Sequence, residues 1–120
     1  MQGVQPLLHI AENVDSGGNY TFTATMTDAN GAISVETSDA SGNVIKVSDQ
    51  GKPGEGETPI ETTFTYDAKG NLMKEVHKEG DYITYTYDSK DRLGTKTQYN
   101  ASGSAVYKTV YTYYGMLIYN

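Results

Sequence analysis

Residues 62–93 read TTFTYDAKGNLMKEVHKEGDYITYTYDSKDRL and contain one phrase twice. The first copy is Tyr66-Asp67-Ala68-Lys69-Gly70-Asn71-Leu72, and the second is Tyr87-Asp88-Ser89-Lys90-Asp91-Arg92-Leu93. Each copy ends a run of alternating Thr, Tyr and Phe, turns through Asp-x-x-Gly or Asp-x-x-Asp, and starts a new run on an apolar residue. This pattern predicts β-hairpins repeated along the chain.

Weaker copies of the phrase lie on both sides of this stretch. An Asp or Asn at the first position can accept hydrogen bonds from the backbone two residues on, and the Gly at the fourth position suits a positive φ. We therefore predict tight turns, each a type I turn followed by a left-handed bulge residue, in five places. They are Asp28–Gly31, Asp39–Gly42, Asp67–Gly70, Asp88–Asp91 and Asn100–Gly103.

The segments between the turns alternate in character as strands do. Tyr20, Phe22, Ala24 and Met26 alternate strictly with four threonines, which predicts a half-buried antiparallel strand. A first strand is predicted within Gln2–Ala11 and a last one over Ala105–Tyr114, with a bend at Gly115 before Met116–Tyr119. Residues 50–59 (QGKPGEGETP) predict a flexible internal loop.

The predicted fold class is all-β. We expect one domain over residues 1–120, with about eight to ten short strands in an antiparallel meander. A twisted single sheet, a partly open barrel and a two-layer sandwich all satisfy the pattern. Because only 37% of the residues are apolar and 11 of the 13 aromatic residues are Tyr, any core should be thin.

The chain resembles the YD-repeat (RHS, teneurin-like) family. The matching residues are Tyr66-Asp67, Gly70, Leu72, Gly80, Tyr85-x-Tyr87-Asp88 and Arg92-Leu93, with Asp91 in place of the second turn glycine. The resemblance implies a β-meander from a secreted or cell-surface protein. It implies no catalytic residues, because the repeat motif of the family has none.

Charge and composition limit the function classes. The net charge is −6 and no basic patch exists, which argues against nucleic acid as a partner. No apolar run is long enough to span a membrane as a helix. The chain lacks cysteine, and we predict no cofactor. Its composition is common in secreted bacterial proteins, so we expect a secreted, periplasmic or cell-surface location after removal of a signal peptide.

Few residues carry candidate chemistry. The loops of the Asp28–Gly31 type resemble calcium loops but offer one carboxylate each, so turn chemistry is the better interpretation and no metal site is predicted. His77 can contact Glu75 two residues away on its strand, but no nucleophile or orienting group is evident. We therefore interpret His77 as an exposed strand histidine, treat a role for His9 and His77 in metal binding as unsupported, and predict no enzyme activity.

The tyrosines give the one candidate ligand site. Tyr82, Tyr107, Tyr111 and Tyr113 form an aromatic platform for a sugar or a protein if they are exposed, whereas packing across strands is the competing interpretation. The leading hypothesis is a non-catalytic secreted or surface module with a structural or protein-interaction role. The alternative is a carbohydrate-binding module. The last strand has Lys108 as its only charge, so we expect a homodimer or an added partner strand at that edge.

Overall fold

The computed structural model describes residues 5–56 and 58–115, over which the chain forms nine β-strands. They are β1 (Leu7–Val14), β2 (Tyr20–Thr27), β3 (Ile33–Asp39), β4 (Val44–Gly51), β5 (Ile60–Tyr66), β6 (Leu72–Val76), β7 (Tyr82–Tyr87), β8 (Leu93–Tyr99) and β9 (Ala105–Val110). Each strand pairs antiparallel with the next, in the order β1 to β9. The predicted all-β meander is confirmed, and the described ranges contain no helix.

The sheet is single and open. Within the described ranges each strand contacts only the strands that precede and follow it, so β1 and β9 are both edge strands. A barrel would bring β9 against β1, and a sandwich would bring non-neighbouring strands together. The radius of gyration is 18.8 Å, compared with about 14 Å for a compact globule of this length.

The predicted turns share one geometry. The amide of the fourth residue donates to the carbonyl of the first, and the amide of the first donates to the carbonyl of the fifth, as in Gly70 N to Asp67 O at 3.0 Å and Asp67 N to Asn71 O at 2.9 Å. The fourth residue has a positive φ in all five turns: 89° at Gly31, 90° at Gly42, 88° at Gly70, 62° at Asp91 and 87° at Gly103. This is the predicted type I turn with a left-handed bulge residue.

The antiparallel order places alternate turns at the same end of the strands. We call the end that carries Asp15–Asn19, Asp39–Asn43, Asp67–Asn71 and Asp88–Arg92 the aspartate edge. In all four of these turns Oδ1 of the aspartate accepts the amides of the third and fifth residues, and Oδ2 pairs with the side chain of the fifth. The aspartate therefore holds both halves of its turn.

The register assigns the side chains to two faces. Tyr20, Phe22 and Met26 share one face with Phe64, Ile83, Tyr85 and Tyr107, which we call the aromatic face. Thr21, Thr23, Thr25, Thr84 and Thr97 share the other, which we call the threonine face.

The prediction of a half-buried β2 was wrong. Tyr20, Phe22 and Met26 are 48%, 37% and 46% exposed, because no second layer covers the aromatic face in the described part of the chain. No apolar residue described by the structure is buried, and the only buried residues there are Ser48 and Thr97. Ladder hydrogen bonds and cross-strand contacts hold the sheet in place of even a thin core.

Some boundaries differ from those predicted. The first strand runs over Leu7–Val14 rather than within Gln2–Ala11, and Asp15–Asn19 closes a hairpin after it. Strand β4 includes Gln50 and Gly51, so the predicted loop over 50–59 begins two residues later. Strand β9 ends at Val110. The segment Met116–Tyr119, before which a bend is predicted, lies outside the described residues.

Candidate functional site

The four tyrosines of the predicted platform do not share a face. Tyr82 lies directly opposite Tyr99, on the threonine face, whereas Tyr107 lies opposite Gln98, on the aromatic face. The amide of Tyr111 continues the ladder by donating to Gly94 O at 2.9 Å, which places this residue one alternation beyond Val110 and on the side of Tyr107. The structure therefore separates Tyr82 from Tyr107 and Tyr111.

Tyr82 is part of a stack within the sheet. Its ring lies 4.6 Å from that of Tyr99 with an interplanar angle of 15°, and Lys74 Nζ lies 4.5 Å from its centroid. Lys74 and Tyr99 belong to the strands on either side of β7, so they flank the ring. Such aromatic and cation–π contacts each contribute about 0.5–1 kcal/mol. For Tyr82, cross-strand packing is the interpretation that the structure supports.

Tyr113 belongs to a structural series at the aspartate edge. Its hydroxyl donates to Leu93 O at 2.8 Å, and Arg92 Cζ lies 4.5 Å from its ring centroid. Tyr87 donates to Leu72 O at 2.7 Å in the same way, and Tyr66 donates to Val44 O. We call Tyr66, Tyr87 and Tyr113 the tyrosine pins. Each accepting carbonyl belongs to the first residue of a strand that follows an aspartate-edge turn, so each pin connects such a turn to a later part of the chain.

The exposed remainder of the platform lies at the last strand. Tyr107 is 63% exposed and Tyr111 is 38% exposed on the aromatic face, while Val106 and Val110 are each 65% exposed on the threonine face. Strand β9 pairs only with β8 within the described ranges. The exposed tyrosines and valines and the open backbone edge of β9 together form the candidate interaction site, which we call the C-terminal edge.

His77 lies in a chain of hydrogen-bonded side chains rather than on an exposed strand, which corrects the sequence-based interpretation. Its Nε2 lies 2.6 Å from Glu75 Oε2 and its Nδ1 lies 2.8 Å from Asp81 Oδ2. Tyr85 donates to the other oxygen of Glu75 at 3.1 Å. The predicted contact with Glu75 is present, and Asp81 supplies the second partner that sequence reasoning missed.

The contacts among His77, Asp81, Glu75 and Tyr85 shift the pKa values of three of these side chains. Hydrogen bonds to Asp81 and then Glu75 raise the pKa of His77 above its usual 6.5, and the bond to His77 lowers the pKa of Asp81. Burial and the nearby Glu75 carboxylate raise the pKa of Tyr85 to about 12. A general base needs a free ring nitrogen, whereas both nitrogens of His77 are paired with carboxylates.

The aspartates of the turns are committed to the backbone. Hydrogen bonds from the amides of Asn19, Asn71 and Arg92 are the largest cause that lowers the pKa of Asp15, Asp67 and Asp88, respectively. A calcium ion at such a turn would compete with these amides for the carboxylate. Among the described residues, no group of three or more His, Cys, Asp or Glu side chains is arranged to hold a metal ion.

Asp91, which stands in place of the turn glycine, makes side-chain contacts with the preceding turn. Its Oδ1 accepts a hydrogen bond from Asn71 Nδ2 at 3.1 Å and lies 3.4 Å from Lys69 Nζ. Both partners belong to the preceding turn on the aspartate edge. The side chain of Asp91 thus links two successive turns, which a glycine could not do.

Sequence comparison identifies the repeat that this geometry builds. None of the curated proteins searched matches the chain. No helix in the described residues has the length and apolar character of a membrane span. The family model described as the RHS repeat matches residues 66–105, which run from the tyrosine pin Tyr66 through the His77 turn to the start of β9. This match covers a third of the chain and confirms the short YD-repeat resemblance of this stretch.

Proposed function

We propose that the chain is a non-catalytic secreted or cell-surface β-repeat module that acts structurally or by binding another protein. The observation that carries the proposal is the open sheet, in which the outer edges of β1 and β9 pair with no other strand of the described ranges and large apolar side chains are exposed on both faces. An open strand edge is a template for pairing with another chain. The aspartates of the turns and the tyrosine pins form hydrogen bonds with the backbone of the sheet itself. These side chains are therefore committed to the fold.

The C-terminal edge is the surface we assign to partner binding. Strand β9 has no proline, no glycine and one charged residue, Lys108, so little on it prevents an added strand from pairing. Val106, Tyr107 and Val110 would lose exposed apolar area against such a strand. The proposed partner is a second copy of the chain, which forms a homodimer, or an extended segment of another protein.

Light scattering at several protein concentrations tests this assignment. We expect an increase in molar mass with concentration, and we expect Val110→Lys to suppress it, because lysine on an edge strand opposes pairing. Val14→Lys places the same change on β1, at the opposite edge, and is the matched control. A strictly monomeric wild-type chain that also captures no extended peptide would contradict the proposal, as would equal effects of the two variants.

A carbohydrate-binding role is the second candidate. The observation that favours it is the exposure of Tyr107 beside Tyr111 on one face, since neighbouring exposed aromatic rings can stack on sugars. On a glycan array we expect specific binding that Tyr107→Ala or Tyr111→Ala abolishes. Tyr20→Ala, which removes an exposed tyrosine at the other end of the aromatic face, should leave binding intact. Binding that Tyr20→Ala weakens equally would exclude the platform.

A further inference from the structure

In the turn between β6 and β7, the acidic residue stands fifth, whereas in the turns of the aspartate edge it stands first. In the turns of the aspartate edge an acceptor, Asp, stands first and a side-chain donor, Asn or Arg, stands fifth. Here His77 stands first and Asp81 stands fifth, although the backbone bonds of the turn are the same. An imidazole cannot accept the two amides that an aspartate accepts, so the contact between His77 and Asp81 is the side-chain hydrogen bond that closes this turn.

The contacts of the ring fix its protonation state. Ionised carboxylates only accept hydrogen bonds, and a neutral imidazole has one N–H. Nε2 faces Glu75 at 2.6 Å while Nδ1 faces Asp81 at 2.8 Å, so both nitrogens must carry a proton for both bonds to form. The geometry is therefore that of an imidazolium between two carboxylates.

Other ionisable groups surround this arrangement. Glu61 on β5 lies by the same hollow as His77 and Lys78, and it is engaged by Lys46 at 3.0 Å. On β7, Tyr85 bonds to Glu75, and Tyr82 lies beside His77 and Asp81 together with Tyr99 of β8. The remaining charged groups of the turn and of β6 are Lys78, Glu79 and Lys74. Glu75 and Asp81 are the groups in direct contact with the ring.

We propose that Asp81, His77, Glu75 and Tyr85 form a pH-dependent clamp that closes the β6–β7 hairpin when His77 is protonated and opens when it is not. Loss of one ring proton leaves a nitrogen lone pair facing a carboxylate, which removes one of the two bonds. The bond to Asp81 opens, because the Asp81 side chain is 44% exposed and regains water, whereas Glu75 is 22% exposed and retains Tyr85. The turn then loses its only side-chain closure between the first and fifth residues.

The direction of the pH effect follows from the partners of the histidine. Because hydrogen bonds to Asp81 and Glu75 raise the pKa of His77 in the folded chain, the protonated form is favoured by folding. As the pH rises, the part of this stability that depends on protonation of His77 is fully present up to pH 6.5, the pKa of an unfolded histidine, while the part that depends on the Asp81 carboxylate is lost only in acid, through the lowered pKa of Asp81. The part that depends on protonation of His77 is lost as the pH rises through the higher pKa of the folded chain.

Nuclear magnetic resonance of the whole chain tests the clamp directly. We expect His77 to carry protons on both nitrogens at pH 6.5 and to titrate above that pH. We expect Asp81→Asn or Glu75→Gln to lower its titration midpoint by about 1 pH unit or more. Asp67→Asn, in a turn without histidine, is the control and should leave the midpoint unchanged. A midpoint at or below 6.5, or one that neither partner variant moves, would overturn the proposal.

Two further measurements separate opening of the hairpin from titration alone. The Gly80 amide closes the His77 turn as the Gly70 amide closes the Asp67 turn, at 2.9 and 3.0 Å, respectively. We expect the ratio of their hydrogen-exchange rates, Gly80 to Gly70, to rise as His77 deprotonates. His77→Asp combined with Asp81→Asn recreates the Asp-x-x-Gly-Asn pattern of Asp67–Asn71 and should remove this rise. A ratio that does not change with pH in the wild-type chain would contradict the opening.

Discussion

Gly70→Val is expected to destabilise the chain by about 1–3 kcal/mol, measured as the change in the free energy of unfolding in urea. Gly70 has a φ of 88°, a conformation that a β-branched residue adopts only under strain. An added Cβ would meet nothing nearer than Asn43 Oδ1 at 4.0 Å. Backbone strain, and not a steric clash, is therefore the expected cause.

Gly115→Val is the matched control for this variant. Gly115 has no positive φ, and no atom of the described residues lies within 4 Å of its Cβ position. The same change of side chain should then alter the free energy of unfolding by less than about 0.5 kcal/mol. If both variants lose the same stability, or neither does, the left-handed backbone at Gly70 is not what the turn requires.

Asp91 provides a second comparison, because it occupies the equivalent place with a φ of 62°. The sequence alone predicts that Asp91→Gly is neutral or stabilising, since glycine adopts this conformation freely. The contacts of Asp91 with Asn71 and Lys69 oppose that gain. Both contacts are partly exposed and contribute little, so we expect a change close to zero in the unfolding free energy.

The turns were the most predictable part of the fold. Asp or Asn at the first position and Gly at the fourth, replaced by Asp91 in one turn, encode the turn locally, and all five predicted turns occur at their predicted residues. The His77 turn escaped prediction because its first residue is neither Asp nor Asn. The local signals of the His77 turn are Gly80 and the apolar positions of the strands that precede and follow the turn.

The arrangement of the strands was less predictable. Alternation within a strand correctly predicts that Tyr82 and Ile83 lie on opposite faces of the sheet, as do Tyr107 and Val106. Whether Tyr82 and Tyr107 share a face depends on the register across β8, where Tyr82 pairs with Tyr99 but Tyr107 pairs with Gln98. Closure of the sheet is likewise a matter of contacts between distant strands. Neither feature is encoded in a local pattern.

The tyrosine pins are residues of the sheet whose hydroxyls are committed to its own backbone. Each repeat that has Tyr before the Asp turn can bond its hydroxyl to a strand that the backbone ladder already pairs. Burial is the largest cause that raises the pKa of Tyr66 and Tyr87, which indicates that their hydroxyls are shielded in this arrangement. In the part of the chain that the structure describes, these bonds add to the strand ladder in a sheet that has no buried apolar residue.

Tyr87→Phe should therefore lower the free energy of unfolding by about 1 kcal/mol, the typical contribution of one intramolecular hydrogen bond. The variant keeps the ring and removes only the bond from the hydroxyl to Leu72 O at 2.7 Å. Tyr107→Phe is the matched control, because the hydroxyl of Tyr107 donates no hydrogen bond to any described residue and its side chain is 63% exposed. Urea unfolding of both variants at neutral pH measures the difference. If Tyr87→Phe unfolds at the same urea concentration as Tyr107→Phe, the pins are a consequence of the fold and do not stabilise it.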